Sequence, residues 1–170
     1  LFSGSCTCNL PTPAGYAAAE ALYGKFKDGS ADIESSMSST RKRIIEAYNY
    51  KEGTGVFLLP SGSDAEYIPL LITKLLNKGK KIVNIVSCNE EVGSGTLDAA
   101  GGKLFSAVQP ITGYIEGPAK AGDGVKGLSD DVRTVAINAR MPSGEVTDKA
   151  EQMNAILAEC LANGNIAFIC

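Results

Sequence analysis

The stretch "GVFLLPSGSDAEYIPLLITKLLNKGKKIVNIVS", Gly55–Ser87, decides the fold. It joins three segments of different character. "GVFLLP" is a short apolar run without alternation, which reads as a buried strand. "DAEYIPLLITKLLNKG" spaces its apolar residues as a helix does and closes on Gly79, a good helix terminator. Pro69 lies inside it, so a local kink or a late effective start is expected. "KKIVNIVS" is a second short apolar run. Strands that are apolar on both faces, alternating with helices, predict an α/β fold with a mainly parallel sheet.

The same alternation continues outward. "PTPAGYAAAEALYGKFK" reads as a helix with Pro near its first turn, "DGSADIESS" as a break, and "SSTRKRIIEAYNYK", from Ser38, as a second helix. Downstream, "GSGTLDAAGG" reads as a short helix or turn, "KLFSAV" as a strand and "ITGYIEGPAKAGDGVKGLSDD" as a long Gly-rich loop. "VRTVAINA" is a strand, "VTDKAEQMNAILAECLANG" an amphipathic helix ending at Gly164, and "NIAFIC" a last strand. The expected architecture is three-layer α/β/α. Its buried strands are Val56–Leu59, Ile82–Val86, Val132–Ile137 and Ile166–Ile169. Residues 1–54 form an N-terminal helical segment and residues 55–170 an incomplete α/β sheet, in one structural domain overall. "NIAFIC" leaves a sheet edge and face that another protein chain is expected to cover, in a homodimer or a larger complex.

Composition narrows the function classes. The net charge of -3 argues against a nucleic-acid partner. No apolar run reaches the length of a membrane span, and the N-terminus lacks a basic, apolar leader pattern. A soluble protein, intracellular or organellar rather than secreted, is expected. The chain has no histidine, which removes His-based triads and His-metal sites. Its five cysteines, Cys6, Cys8, Cys88, Cys160 and Cys170, are odd in number and widely spaced, as reduced structural thiols would be. A metal site on Cys6 and Cys8 has no second pair to complete it.

In a parallel sheet, ligands bind beyond the carboxyl ends of the strands, so the strand-to-helix turns carry the candidate chemistry. Ser61-Gly62-Ser63-Asp64 follows an apolar run and opens a helix. Two readings are open. One is a plain capped helix start, with Ser as cap and Asp in the first turn. The other is an anion site: unpaired backbone N–H groups at a helix start favour a phosphate, Gly62 permits close approach, and Ser61 and Ser63 add hydroxyls. No Gly-Lys-Ser/Thr follows, so this is not a Walker loop.

The segment "PSGSDAE" resembles the strand-turn-helix element of the fold-type I pyridoxal-phosphate enzymes, the aspartate-aminotransferase superfamily. The resemblance runs along nearly the whole chain. "TPAGYAAAEALYGKF" and "STRKRIIEAYNYKEG" are similar to the two helices that precede the family's phosphate strand. "KKIVNIVSCNEEVGSGTLDAAGGKL" resembles its next strand, ligand-facing turn and helix. "VRTVAINARMPSGEVTDKAEQMNAILAECLANGNIAFIC" resembles the class V pattern of strand, helix and strand. The resemblance implies a large part of the cofactor domain of a pyridoxal-phosphate-dependent enzyme acting on a small amino acid, as an aminotransferase or lyase does. It places Gly62 and Ser63 on the cofactor phosphate and Asp64 at the family's acidic position beside them. It also implies that the region of Arg140, Met141 and Ser143 faces cofactor or substrate.

Three features depart from that pattern. The turn that supplies the ring-stacking aromatic is here Cys88-Asn89-Glu90-Glu91, without an aromatic. The Asp that pairs with the pyridine nitrogen does not occur on "NIAFIC". The Lys that bonds the cofactor belongs further on in the family, so no catalytic residue is assigned to this chain and no activity is expected of it alone. A second function class therefore stands beside the first, a non-catalytic assembly subunit that reuses the scaffold within a larger complex. Other motifs carry less. Gly122-x-Gly124-x-x-Gly127 follows a loop and precedes no helix of useful length, so it does not read as a dinucleotide fingerprint. Arg41-Lys42-Arg43 reads as a solvated helix face, and Glu90-Glu91 as a solvated turn.

Overall fold

A computed structural model describes residues 10–106, 108–109, 113–114 and 120–169. The chain divides into two compact units, Leu1–Leu59 and Pro60–Cys170.

The first unit holds two helices, α1 (Pro13–Lys27) and α2 (Ile33–Ala47). Each starts on a side-chain cap. Thr12 Oγ1 accepts the Gly15 N–H at 3.1 Å, and Asp32 Oδ1 accepts the Ser35 N–H at 2.8 Å. These caps satisfy donors that a helix cannot pair internally. The second helix thus begins at Ile33, ahead of the expected Ser38, because Asp32 supplies the cap. Neither helix contains a buried residue. Arg41-Lys42-Arg43 lies on α2, where Lys42 pairs with Glu46 at 3.9 Å on an exposed face.

Val56–Leu59 does not form the expected strand. Residues 54–59 make no ladder pairing, and Phe57 is 61% exposed. An apolar run becomes a strand only where a neighbour takes its backbone donors and acceptors, and no described strand does so.

The second unit carries an α/β fold. Its order is α3 (Gly62–Ala65), α4 (Tyr67–Leu76), β1 (Ile82–Ser87), α5 (Thr96–Ala100), β2 (Val108–Gln109), β3 (Gly113–Tyr114), β4 (Val132–Ile137), α6 (Lys149–Asn163) and β5 (Ile166–Ile169). The main sheet is parallel with order β4-β1-β5. Its register pairs Ile82 with both Val132 and Ile166, and Asn84 with both Thr134 and Phe168. β2 and β3 pair antiparallel in a separate ribbon. "KLFSAV" therefore does not join the parallel sheet. Lys103 bridges Gly124 antiparallel, and Leu104 exchanges backbone bonds with Asp123 and Gly122. Residues 111–112 and 115–119 of the Gly-rich stretch lie outside the described residues.

The sheet is covered on both faces. Val83, Ile85 and Ile137 are buried with Cys160 of α6, and Val135, Met153, Ile156, Leu157 and Ala167 pack around them. Side chains alternate along a strand, so Ile82, Asn84 and Val86 face the other way. There Asn84 Nδ2 donates to the Ala100 carbonyl of α5 at 2.8 Å. The connection from β1 to β4 thus uses one face and the connection from β4 to β5 the other, with β1 in the centre. Adjacent strands whose connections leave to opposite faces define a topological switch point, here at the carboxyl ends of β1 and β4.

Candidate functional site

The turn Ser61–Asp64 is built by local hydrogen bonds. Ser61 is extended and caps α3: its Oγ accepts the Asp64 N–H at 3.1 Å and donates to Asp64 Oδ2 at 2.6 Å. The single turn of α3 stops at Glu66, because Pro69 lacks the N–H that the Ala65 carbonyl would need. The helix resumes as α4, so the start at Tyr67 is the late one that Pro69 led us to expect. Two of the expected donors, the N–H groups of Gly62 and Ser63, have no acceptor in the described protein. A Cβ added at Gly62 would meet nothing within 4 Å.

The turn does not sit at the end of a Val56–Leu59 strand, since that strand does not exist. It sits instead beside the segment that leaves β1. Ser63 Oγ lies 3.9 Å from the point where a Cβ on Gly93 would stand, and Thr96 Oγ1 lies 3.6 Å from the same point. Gly93 also accepts the Thr96 N–H at 3.0 Å, closing the turn into α5. Thr96 is only 7% exposed, yet its hydroxyl has no hydrogen-bond partner in the described protein. Tyr67 closes the same region from α4. It donates to the Lys103 carbonyl at 2.5 Å and packs against Phe105 at 6.1 Å between ring centroids. Burial, with the Asp64 charge nearby, pushes the Tyr67 phenol above its ordinary range.

Across the carboxyl ends of the strands, Cys88 follows β1 in the left-handed conformation, with φ of 56°. Its Sγ lies 3.7 Å from Lys149 Nζ and 3.6 Å from Ser87 Oγ. The Arg140 N–H donates to Glu90 Oε1 at 2.6 Å, and Arg140 Nε lies 3.6 Å from Glu91 Oε1. Glu90-Glu91 is thus exposed, as a solvated turn is, and also ties the turn after β1 to the turn after β4. Hydrogen bonds hold the Glu90 carboxyl below the usual range, first from its own N–H and then from Ala139 and Arg140, with the Arg140 charge adding to them.

Of the sequence candidates, Gly62 and Ser63 have unused donors, and the Ser63 hydroxyl borders Gly93 in the segment after β1. Asp64 is a carboxylate and has nothing to donate to a phosphate; it accepts the Ser61 hydroxyl and fixes the turn. Arg140 is engaged by Glu90 and Glu91, and Ser143 donates to Glu145 at 3.3 Å. No hydrogen bond or ion pair joins Arg140 or Ser143 to Ser61–Asp64. Gly122 and Gly127 lie in turns and Gly124 in the bridge to Lys103, and no helix follows them before β4. Cys88 and Cys160 are free thiols, while Cys6, Cys8 and Cys170 lie outside the described residues. Among the described residues, no cluster could hold a metal ion, and no helix is long and apolar enough to cross a membrane.

Gly93, Thr96 and Lys149 stand near these turns, and sequence reasoning passed over them. "GSGT", Gly93–Thr96, between a strand and a helix was the available signal for the first two. Two clefts lie elsewhere. One, of about 540 Å³, is lined by Gly79–Lys81 and Asn163–Asn165 at the amino ends of β1 and β5. The other, of about 420 Å³, runs along β4. Neither includes the Ser61–Asp64 turn. Comparisons with family models, with curated proteins and with solved structures each found no match to this chain.

Proposed function

We propose that the unit beginning at Pro60 is part of the cofactor-binding domain of a pyridoxal-phosphate-dependent enzyme acting on a small amino acid. One observation carries this reading. The amides of Gly62 and Ser63 and the Ser63 hydroxyl have no protein partner, and the Ser63 hydroxyl borders Gly93 in the segment that follows β1 of the parallel sheet. The residues present fit the phosphate end of the group: open space at Gly62, two N–H donors and one hydroxyl. When bound, pyridoxal phosphate supplies an electron sink for carbon chemistry next to an amino group. This chain's own residues hold and orient. Gly62 and Ser63 bind the phosphate, and Asp64 locks the turn through Ser61.

The test compares pyridoxal 5′-phosphate with pyridoxal on the whole chain, by calorimetry. The phosphorylated form should bind more tightly, and Ser63→Ala should cost about 1.5–3 kcal/mol of that binding, one charge-assisted hydrogen bond. Equal affinity for the two forms would refute the reading.

A second reading, a non-catalytic subunit of a larger assembly, draws on different residues. Leu71, Ile72, Leu75 and Leu76 form one exposed face of α4, with Leu76 78% exposed. Helices of the length of α1 and α2 are marginal without packing, and neither buries a residue. In this reading a partner chain covers these faces and the open edges of the sheet, in a homodimer or a larger complex. A monomer by light scattering at high concentration would count against it.

A further inference from the structure

The situation of the Thr96 hydroxyl is not explained by the Ser61–Asp64 turn alone. The residue is more than nine-tenths buried, on the first turn of α5. Hydroxyls in such places normally find a protein or water partner, because leaving one unpaired is costly. This one has none in the described protein. The oxygen is nevertheless not sealed in: the fully enclosed unpaired atoms are Glu66 Oε2 and Asn84 Oδ1, and Thr96 Oγ1 is not among them. It borders the space over Gly93, 3.6 Å from where a Cβ would stand, and Ser63 Oγ borders the same space at 3.9 Å. Nothing about the backbone demands glycine at 93. Its φ is not in the left-handed region, and an added methyl would make ordinary contacts.

We propose that Thr96 and Gly93 form the second wall of the phosphate cradle. The Thr96 hydroxyl donates to the same phosphate group that the Gly62 and Ser63 amides and the Ser63 hydroxyl hold. Gly93 is bare because a side chain there would stand between the two hydroxyls. The inference rests on the cradle reading given above and extends it to a second element of the chain. A tetrahedral oxyanion suits the arrangement. It presents acceptors in several directions, and the Ser63 and Thr96 hydroxyls border one small space from two separate turns.

The experiment measures binding of pyridoxal 5′-phosphate and, separately, inorganic phosphate to the whole chain. Calorimetry gives the affinity, and thermal melting followed by circular dichroism checks the fold. The variants are Ser63→Ala, Thr96→Val, Thr96→Ser and Gly93→Ala. Thr96→Val keeps the shape and removes the hydroxyl, and should weaken both ligands by about tenfold. Thr96→Ser should restore binding. Gly93→Ala should weaken binding at least as much while leaving the melt unchanged. If Ser63→Ala weakens binding and Thr96→Val does not, the cradle stands and the second wall falls. If Thr96→Ser fails to rescue, Thr96 acts only through packing and the proposal is overturned. If the unaltered chain binds neither phosphate ligand, the cradle reading itself falls and takes this inference with it.

Discussion

Asn84 is the sharpest probe of the core. It sits in the middle of the central strand, 0% exposed, with Nδ2 on the Ala100 carbonyl at 2.8 Å and Oδ1 without a partner. Asn84→Asp keeps the shape and exchanges the donor for an ionisable oxygen. At about pH 4 and below, the introduced carboxyl is protonated in the folded protein, its O–H can donate to Ala100 as the amide did, and the variant should lie within about 1 kcal/mol of the parent. Ionisation in that position would set a buried carboxylate against a carbonyl oxygen, so the folded variant keeps the proton and the pKa of the new carboxyl is raised. The folded state then binds a proton that the unfolded state releases above about 3.9. Stability relative to the parent is therefore full below that value and falls by about 1.4 kcal/mol per pH unit above it, reaching a loss of about 4 kcal/mol at pH 7. That is a large share of a typical domain's stability, so the variant should unfold as pH rises from about 4 towards 7. Urea denaturation of variant and parent, run in parallel across this range, measures the slope. A difference that is independent of pH would show that residue 84 is hydrated, and that α5 does not seal this face of the sheet.

Two further outcomes follow from the geometry. Gly102 has φ of 69°, and an added Cβ would lie 2.8 Å from the backbone of Leu128, so Gly102→Ala should cost upward of about 2 kcal/mol by urea denaturation; a loss below about 0.5 kcal/mol would show that this turn relaxes freely. The Glu90 carboxyl should titrate below an ordinary glutamate by NMR, and the stability it lends should be present above the unfolded value and fade as pH falls through the folded one; an ordinary titration would mean that its hydrogen bonds from its own N–H and from Ala139 and Arg140 do not persist in solution.

The parts of the fold that were legible are those fixed by local pattern. β1, β4 and β5 are short apolar runs with turn residues at their ends, and α6 is an amphipathic stripe closed by Gly164 at φ of 63°. The parts that were not legible depend on neighbours distant in sequence. Val56–Leu59 has the composition of a strand, but composition does not reveal whether a ladder partner exists. Ser38 looked like a helix start because of the serines and threonine around it, yet Asp32 accepts a backbone N–H first and the helix begins there. The site divides in the same way. Ser61–Asp64 was visible because its cap is local. Gly93 and Thr96 were not, because their nearness to Ser63 appears only when the turn after β1 meets the turn before α4.

The placement of the unused donors follows from the topology itself. β1 sends the chain to one face of the sheet and β4 sends it to the other, so two turns diverge at the carboxyl edge, each with polar groups to satisfy. On the α6 side these needs are met within the protein. Glu90 takes the Arg140 N–H, Glu91 faces Arg140 Nε, Thr147 Oγ1 donates to the Asn138 carbonyl, and Lys149 faces Cys88. On the α5 side they are not. The Asp64 charge is taken up by the Ser61 hydroxyl, while the amides of Gly62 and Ser63 and the hydroxyls of Ser63 and Thr96 remain without protein partners. All four are groups that can donate, while Glu66 Oε2 at the end of α3 is a buried acceptor without a partner. In the proposed cradle the Ser63 and Thr96 hydroxyls that border Gly93 would meet an acceptor with several oxygens, and an anion would suit them better than a neutral group, because hydrogen bonds to charge are the stronger ones.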